Sequence, residues 1–217
     1  MKRLLAPIPI AVLAVVVALV ALLAYGLASN EPNRKVERAL GAGGREQAPE
    51  VELPKLDGGG AASLADYRGK VVVLTFGFTR CPDVCPMTLA TLKRAVGRLG
   101  PEGGQVQVLF VTLDPARDTG PVMRTYLDAF DPSFVGLRGN RRAVARTALD
   151  FRVFYKQAKA GSSANDYVID HTLGSYVFDR EGKPRVFVAN DKIDLLVSDI
   201  RSLLHGPAVA QAPQTWR

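Results

Sequence analysis

Residues 71–86 read VVVLTFGFTRCPDVCP and contain both cysteines of the 217-residue chain, Cys81 and Cys85. The first part, residues 71–78, is an apolar and β-branched run, which is typical of a strand buried on both faces of a sheet. Residues 86–99 place apolar side chains on one face of a helix, and a Gly-Pro pair ends that helix. The stretch therefore predicts a buried strand, a loop with two cysteines and the N-terminus of a helix.

The remaining patterns first alternate between strands and helices and then change to a hairpin. They predict a strand at 106–113, a helix at 121–130, a short strand at 134–137, a helix at 141–155, a hairpin of 172–178 with 185–188, and a last helix at 192–204. We expect the helix at 121–130 to bury Val122, Tyr126 and Phe130. This order of elements predicts an α/β protein with a thioredoxin-like fold, in which helices flank a central mixed β-sheet.

The N-terminal segment has the composition of a membrane helix. No charged residue lies between Arg3 and Glu31, and a helix of about 20 apolar residues spans a bilayer. We expect residues 1–28 to form an uncleaved transmembrane anchor, with a signal peptide cleaved near Ala28 as the alternative. The two positive charges that precede the run should stay in the cytoplasm. The sequence thus predicts a single-pass protein of a bacterial inner membrane, with its domain in the periplasm.

Two polar segments flank the predicted domain. Residues 29–49 contain Gly-Ala-Gly-Gly and no apolar periodicity, which indicates a flexible linker, and residues 206–217 have the composition of a disordered tail. We therefore expect one thioredoxin-like domain over residues 50–205, which is long enough to bury a core. The chain carries a net charge of +7 but no basic tract, so we do not expect it to bind nucleic acid.

The spacing of the two cysteines leaves three kinds of site open: a local disulfide, a redox-active pair and half of a metal site. A disulfide across so short a loop would stabilise the fold little, because it constrains the unfolded chain less than a long loop does. Redox pairs of the thioredoxin type are usually C-x-x-C, and the extra residue here lets the two sulfur atoms stand apart around an ion. We expect Pro86 to be the first helical residue and Cys85 to cap the helix, so that the helix dipole favours the Cys85 thiolate.

One of the two histidines of the chain is placed to join the cysteines. His171 immediately precedes the strand that we expect beside the first central strand, and in a thioredoxin-like fold the residues entering that strand face the cysteine loop. His205 ends the last predicted helix, where a ring nitrogen can meet free backbone carbonyls. Two thiolates and an imidazole form a soft ligand set that suits copper(I), and a further ligand would allow copper(II). Zinc would require a fourth ligand such as water.

Three segments together resemble the Sco/SenC family of copper-binding, thioredoxin-like proteins. They are FGFTRCPDVCPMTLATL at 76–92, DPARDT at 114–119 and DYVIDHTLGSYVFDREGK at 166–183, and the resemblance extends over residues 50–205. It implies a membrane-anchored copper chaperone that helps to build the dinuclear copper site of cytochrome c oxidase. It also implies that Cys81, Cys85 and His171 bind the copper, as copper(I), copper(II) or both.

The partner that this resemblance implies is the copper-accepting subunit of the oxidase, with another copper chaperone or a thiol reductase as further candidates. An alternative function is that of a thiol-disulfide oxidoreductase that reduces the cysteines of the oxidase copper site, for which Cys81 and Cys85 are sufficient. A third is a peroxiredoxin-like peroxidase, because residues 63–70 (SLADYRGK) also resemble that family.

Polar residues near the predicted site have local roles as an alternative to functional ones. Asp83, in the cysteine loop, would tune the thiols, contact a partner or form a turn, and Asp114 would lie near the same edge of the sheet or bond local amides. We place both outside the ligand set. We expect Arg117, Asp118 and Thr119 to organise the turn that leads into the second helix.

Overall fold

The computed structural model of the protein describes residues 51–163, 166–188 and 192–205, together with Pro49 and three N-terminal residues, Val16, Leu19 and Val20. Apart from those four positions, the predicted anchor at 1–28, linker at 29–49 and tail at 206–217 lie outside the described residues. Within the described part of the chain, no helix has the length and apolar character needed to cross a bilayer. The anchor therefore stays a prediction, and the described domain belongs to the unit Glu37–Arg217.

The domain contains nine strands and four α-helices in its described part. The strands are β1 (Leu53–Pro54), β2 (Ala61–Ala62), β3 (Val71–Gly77), β4 (Val106–Thr112), β5 (Val135–Leu137), β6 (Tyr155–Lys159), β7 (Tyr167–His171), β8 (Ser175–Phe178) and β9 (Pro184–Val188). The helices are α1 (Val84–Arg98), α2 (Gly120–Asp128), α3 (Arg141–Asp150) and α4 (Ile193–His205), and Leu64–Tyr67 and Gly100–Gln105 form short 3₁₀ helices.

A mixed five-stranded sheet forms the centre of the domain. Its strand order is β5-β4-β3-β8-β9, with β3, β4 and β5 parallel to one another and β8 antiparallel to both β3 and β9. The predicted hairpin is therefore confirmed, and it lies directly beside the first central strand. The antiparallel pairs β1–β2 and β6–β7 form two further small sheets.

Strand β3 sends alternate side chains to the two faces of the central sheet. Val72, Leu74 and Phe76 lie in one hydrophobic cluster, together with side chains of β1, β2 and α3. Val71 and Val73 lie in a second cluster with side chains of α1, α2 and α4. Because helices or loops cover both faces, every residue of β3 and β4 is buried, as their continuous apolar runs predict.

The helix predicted at 141–155 is shorter in the structure, and its last residue belongs to a strand. Helix α3 ends at Asp150, and Arg152 adopts a φ of 55°, a left-handed conformation that a helix cannot continue through. Tyr155 then begins β6, which pairs with β7 outside the central sheet. The prediction missed this pairing because β6 reads YKQAK and is largely exposed, so it lacks the apolar pattern that marks a strand.

Helix α2 buries a face next to the predicted one. Met123 and Leu127 are its buried side chains, whereas Val122 is 43% exposed and Tyr126 and Phe130 are only partly buried. The expectation for Val122 is therefore wrong. Both sets recur at intervals of four residues, so helical periodicity alone does not decide between two neighbouring faces.

Candidate metal centre

The cysteine loop connects the end of β3 to the start of α1. Its first turn is closed by the amide of Cys81, which donates to the carbonyl of Phe78 at 3.3 Å. Helix α1 begins at Val84, with Asp83 in the N-cap position, so that Cys85 lies in the first helical turn. The prediction that Pro86 begins the helix and Cys85 caps it is therefore wrong. A proline is tolerated here because amides of the first turn have no acceptor within the helix.

Cys85 packs into the core directly beneath this loop. Its side chain is 3% exposed, and a Cβ atom on Gly77 would lie only 2.9 Å from its Sγ atom, so glycine at this position makes room for the thiol. Burial raises the pKa of the Cys85 thiol well above its ordinary value, although a backbone hydrogen bond from Phe78 opposes the shift. The prediction of a readily formed Cys85 thiolate is wrong, because burial of the thiol disfavours its charged form.

His171 approaches Cys85 from the end of strand β7. It is the last residue of β7, and its Nε2 atom lies 3.7 Å from the Sγ atom of Cys85. Its Nδ1 atom donates to the carbonyl of Thr172 at 2.8 Å, which leaves the lone pair of Nε2 directed to the thiol. The ring also makes an edge contact with Phe78, with ring centres 6.3 Å apart. His171 is thus held in the tautomer that a metal ligand requires.

Cys81 lies beside this pair and is partly exposed. Its Sγ atom accepts a hydrogen bond from the amide of Cys85 at 3.4 Å, and both cysteines are free thiols. Among the described residues, no three side chains of His, Cys, Asp or Glu already converge on a metal-sized space. The structure therefore brings Cys85 and His171 together, with the Cys81 sulfur bonded to the amide of Cys85. The assignment of all three as ligands stays a prediction.

The turn after β4, residues 114–118, contacts both the cysteine loop and strand β7. The Asp118 carboxylate is fully buried and accepts hydrogen bonds from Thr79 N at 3.0 Å, Thr79 Oγ1 at 2.6 Å and Thr112 Oγ1 at 2.6 Å. Thr79 stands two residues before Cys81, so this carboxylate fixes the start of the cysteine loop. Burial raises the pKa of Asp118, and the hydrogen bonds from both threonines oppose that shift.

Asp114 and Asp83 differ sharply in their surroundings. Asp114 is 1% exposed, accepts from the Tyr167 hydroxyl at 2.7 Å and pairs with Nε of Arg117. Asp83 is exposed, and its side chain makes no capping hydrogen bond to α1. Sequence reasoning did not identify the contact with Tyr167; an acidic residue directly after a buried strand was the available signal. The predicted place of His205 at a helix end is confirmed, and its ring pairs with the carboxylate of Glu102, a partner that was not predicted.

Comparisons with known proteins show which family and fold this chain is similar to. A sequence model of the SCO1/SenC family matches residues 55–205. The chain is 41% identical over 120 residues to the mitochondrial SCO2 homologue of Bos taurus, a match that covers 54% of this chain and 45% of that protein. The chain thus spans about half the length of this mitochondrial relative.

Solved structures extend the similarity to the fold. ScoI of Bradyrhizobium japonicum with copper bound is 30% identical, with a TM-score of 0.65 and coverage of 73% of this chain and 99% of that one. Apo Sco1 of Thermus thermophilus is 42% identical, with a TM-score of 0.62 and coverage of 71% and 89%. These matches confirm the prediction of an α/β, thioredoxin-like fold with a central mixed sheet.

Proposed function

Because this chain belongs to the SCO1/SenC family, we propose that it is a copper metallochaperone. It binds one copper ion through Cys81, Cys85 and His171 and delivers it to, or helps to assemble, the dinuclear copper site of cytochrome c oxidase. The observation that carries the proposal is the approach of His171 Nε2 to Cys85 Sγ at 3.7 Å. The copper-bound ScoI of Bradyrhizobium japonicum supports the choice of metal.

The donor atoms fit copper(I) best. Two thiolate sulfurs and one imidazole nitrogen form a soft set of low coordination number, and copper(II) would add a further ligand. The hydrogen bond from Nδ1 to Thr172 orients the imidazole from behind, an arrangement that commonly tunes metal-bound histidines. Copper is the cargo here, so the site has to release it as well as bind it.

Copper binding requires one chemical change at Cys85. The proton that burial retains on the Cys85 thiol must be released, because the thiolate is the form that binds the metal. Each displaced proton makes the apparent affinity rise by about tenfold per pH unit while that thiol is protonated in the metal-free protein. The partly exposed Cys81 and the 50%-exposed Leu173, two residues after His171, support a site that a partner protein can reach.

The proposed setting is the bacterial inner membrane, with the domain in the periplasm. The uncharged run within residues 1–28 and the two positive charges before it support this orientation. The copper-accepting subunit of cytochrome c oxidase is the proposed recipient, and another copper chaperone is the proposed source. A thiol reductase would keep both cysteines reduced in an oxidising compartment.

A thiol-disulfide oxidoreductase is the second candidate function, because Cys81 and Cys85 are free and lie side by side. In that reaction the thiolate of one cysteine attacks a disulfide of the target, and the other cysteine then resolves the mixed disulfide. The target gains two electrons and two protons, and a Cys81–Cys85 disulfide forms, which a thiol reductase must reduce again. His171 has no required part in this exchange.

A copper(I) titration separates the two functions. The full-length chain, kept in detergent with reduced thiols, is titrated against a competing chelator beside His171→Ala and the control His205→Ala. We expect one copper per chain, an affinity lowered by about 100-fold or more in His171→Ala, and no change in His205→Ala. Equal and poor binding by all three proteins would overturn the chaperone function and favour the oxidoreductase, whose dithiol exchange should persist in His171→Ala.

A further inference from the structure

The strand that carries His171 is anchored at both of its ends. Tyr167, Ile169 and His171 alternate along β7 and therefore point to the same face of the strand. Ile169 is 4% exposed and belongs to the core. His171 contacts Cys85 at one end of the strand, and Tyr167 contacts the turn after β4 at the other. The hairpin β6–β7 is not part of the central sheet, so these contacts, the buried Ile169 and the short connection to β8 together position His171.

Arg117 binds Tyr167 in two ways. Its Nη1 atom donates to the Tyr167 carbonyl at 2.8 Å, and its guanidinium carbon lies 3.5 Å from the centre of the Tyr167 ring. Asp114 completes the group, because it pairs with Arg117 and accepts from the Tyr167 hydroxyl at 2.7 Å. The side chains of Arg117 and Asp114 are 8% and 1% exposed. Charge-assisted hydrogen bonds and cation–π contacts are stronger in such water-poor surroundings.

The same turn also holds the cysteine loop. Asp118, one residue after Arg117, accepts two hydrogen bonds from Thr79, as described above. One short segment of chain, residues 114–118, is thus bonded both to the cysteine loop and to the strand of His171. Tyr167 and His171 are separated by about 13 Å along β7 and belong to one continuous strand.

We propose that residues 114–118 are a clamp that sets the distance between Cys85 and His171, with Arg117 as a positioning residue for His171. The inference rests on the proposed function, since it assumes that His171 binds copper. Without Arg117, the β6–β7 hairpin loses the contacts that hold Tyr167, and His171 spends less time beside Cys85. The copper affinity then falls towards that of a site with thiolates alone, and no further.

A double-mutant cycle on the full-length chain tests this coupling. Copper(I) affinity is measured for wild type and Arg117→Gln, each with His171 intact and with His171→Ala. We expect Arg117→Gln to weaken binding by about 10-fold or more when His171 is present, and to have no effect in His171→Ala. Arg117→Lys should restore part of the affinity. The matched control is Arg185→Gln, which breaks another largely buried pair, with Asp179, and should leave affinity unchanged.

The outcomes distinguish the two proposals. If His171→Ala alone leaves affinity unchanged, the proposed function fails whatever Arg117 does. If His171→Ala weakens binding but Arg117→Gln has no effect, or has the same effect in both backgrounds, the clamp is overturned. If Arg117→Gln does not fold, Tyr167→Phe is the second test of the clamp, because it removes only the hydrogen bond from the Tyr167 hydroxyl to Asp114. It should weaken copper binding several-fold with His171 present and not at all in its absence.

Discussion

The cysteine loop and the β6–β7 hairpin, which carries His171, contribute to one proposed site. The parts of the domain that support them differ in how firmly they are packed. The loop follows β3, which lies in the middle of the central sheet with all its residues buried. The hairpin β6–β7 has only two strands, and its outer strand is largely exposed. Isolated two-stranded hairpins are marginal in water, so tertiary contacts have to hold this one. Of the two supports of the proposed site, the one under Cys85 is therefore the more rigid, and the one under His171 depends on contacts such as those of Tyr167.

This difference would suit the proposed copper chaperone, which must both hold and release its metal ion. A firmly packed Cys85 would keep the position of the site, and a less firmly held His171 would offer a way to open it without unfolding the core. Regions with few buried contacts are also the ones that open at low free energy. The variants below test whether the two supports differ in this way, from the largest expected effect to the smallest.

The largest effect is expected in the central sheet. Leu74→Ala removes a fully buried side chain from β3 and should lower the free energy of unfolding by about 2–5 kcal/mol, because it leaves a cavity between packed layers. Urea unfolding measures the change. Leu149→Ala, at a position that is 72% exposed, is the control and should change the free energy by about 0.5 kcal/mol or less. Equal effects of the two variants would show that β3 is not the rigid support.

A smaller loss is expected at the connection between the cysteine loop and the turn after β4. Asp118→Ala leaves the three donors on Thr79 and Thr112 without their buried acceptor, which should cost about 1–3 kcal/mol of unfolding free energy. Asp83→Ala, in the same loop but exposed, should have little effect in the same urea titration. A loss in Asp83→Ala as large as in Asp118→Ala would contradict the role of the buried carboxylate.

The buried thiol predicts a pH effect in the metal-free, reduced protein. Because the pKa of Cys85 is raised on folding, its contribution to stability is fully present below its ordinary pKa near 9 and is lost as the pH rises above that value. Wild type should lose about 1.4 kcal/mol per pH unit relative to Cys85→Ala in that range. Urea unfolding of both proteins at about pH 7.5 and 10 gives the difference. A gap between the proteins that does not change with pH would rule out the shift.

The smallest effect is expected in the β6–β7 hairpin alone. Tyr167→Phe removes one hydrogen bond to Asp114 and should speed hydrogen exchange at the β6–β7 amides, while amides of β3 keep their protection. Exchange measured by mass spectrometry on peptides of both regions tests this. Tyr155→Phe, on the paired strand, is the matched control and should change exchange less. Faster exchange in β3 as well would mean that the two supports open as one unit.

Sequence patterns predicted the central sheet, which supports Cys85, better than the β6–β7 hairpin, which supports His171. The reasons are physical. Runs such as VVVLTFGF have to be buried on both faces, so β3, β4 and the hairpin of β8 with β9 could be placed from periodicity and turn residues. Strand β6 is formed by pairing with β7 rather than by its own composition, so no local signal identified it. Residue types and fold together indicated His171, but not the strand that holds it.

The missed features of the site depend on contacts between distant parts of the chain. Pro86 alone did not define the start of α1, because a proline fits several positions of a first turn. Burial of Cys85 depends on how α1 packs against β3, and that packing reversed the expected direction of its pKa shift. Tyr167 binds a turn 50 residues away, a contact that a motif such as DPARDT suggests only once the fold is known.

X-ray absorption at the copper edge tests the central claim most directly, because it counts the atoms bound to the metal. The full-length chain loaded with one equivalent of copper(I) should show two sulfur atoms and one nitrogen atom around the copper. In His171→Ala the nitrogen should disappear and both sulfurs remain. A sulfur-only copper in the wild type, or a nitrogen that persists in His171→Ala, would contradict a site built from Cys81, Cys85 and His171.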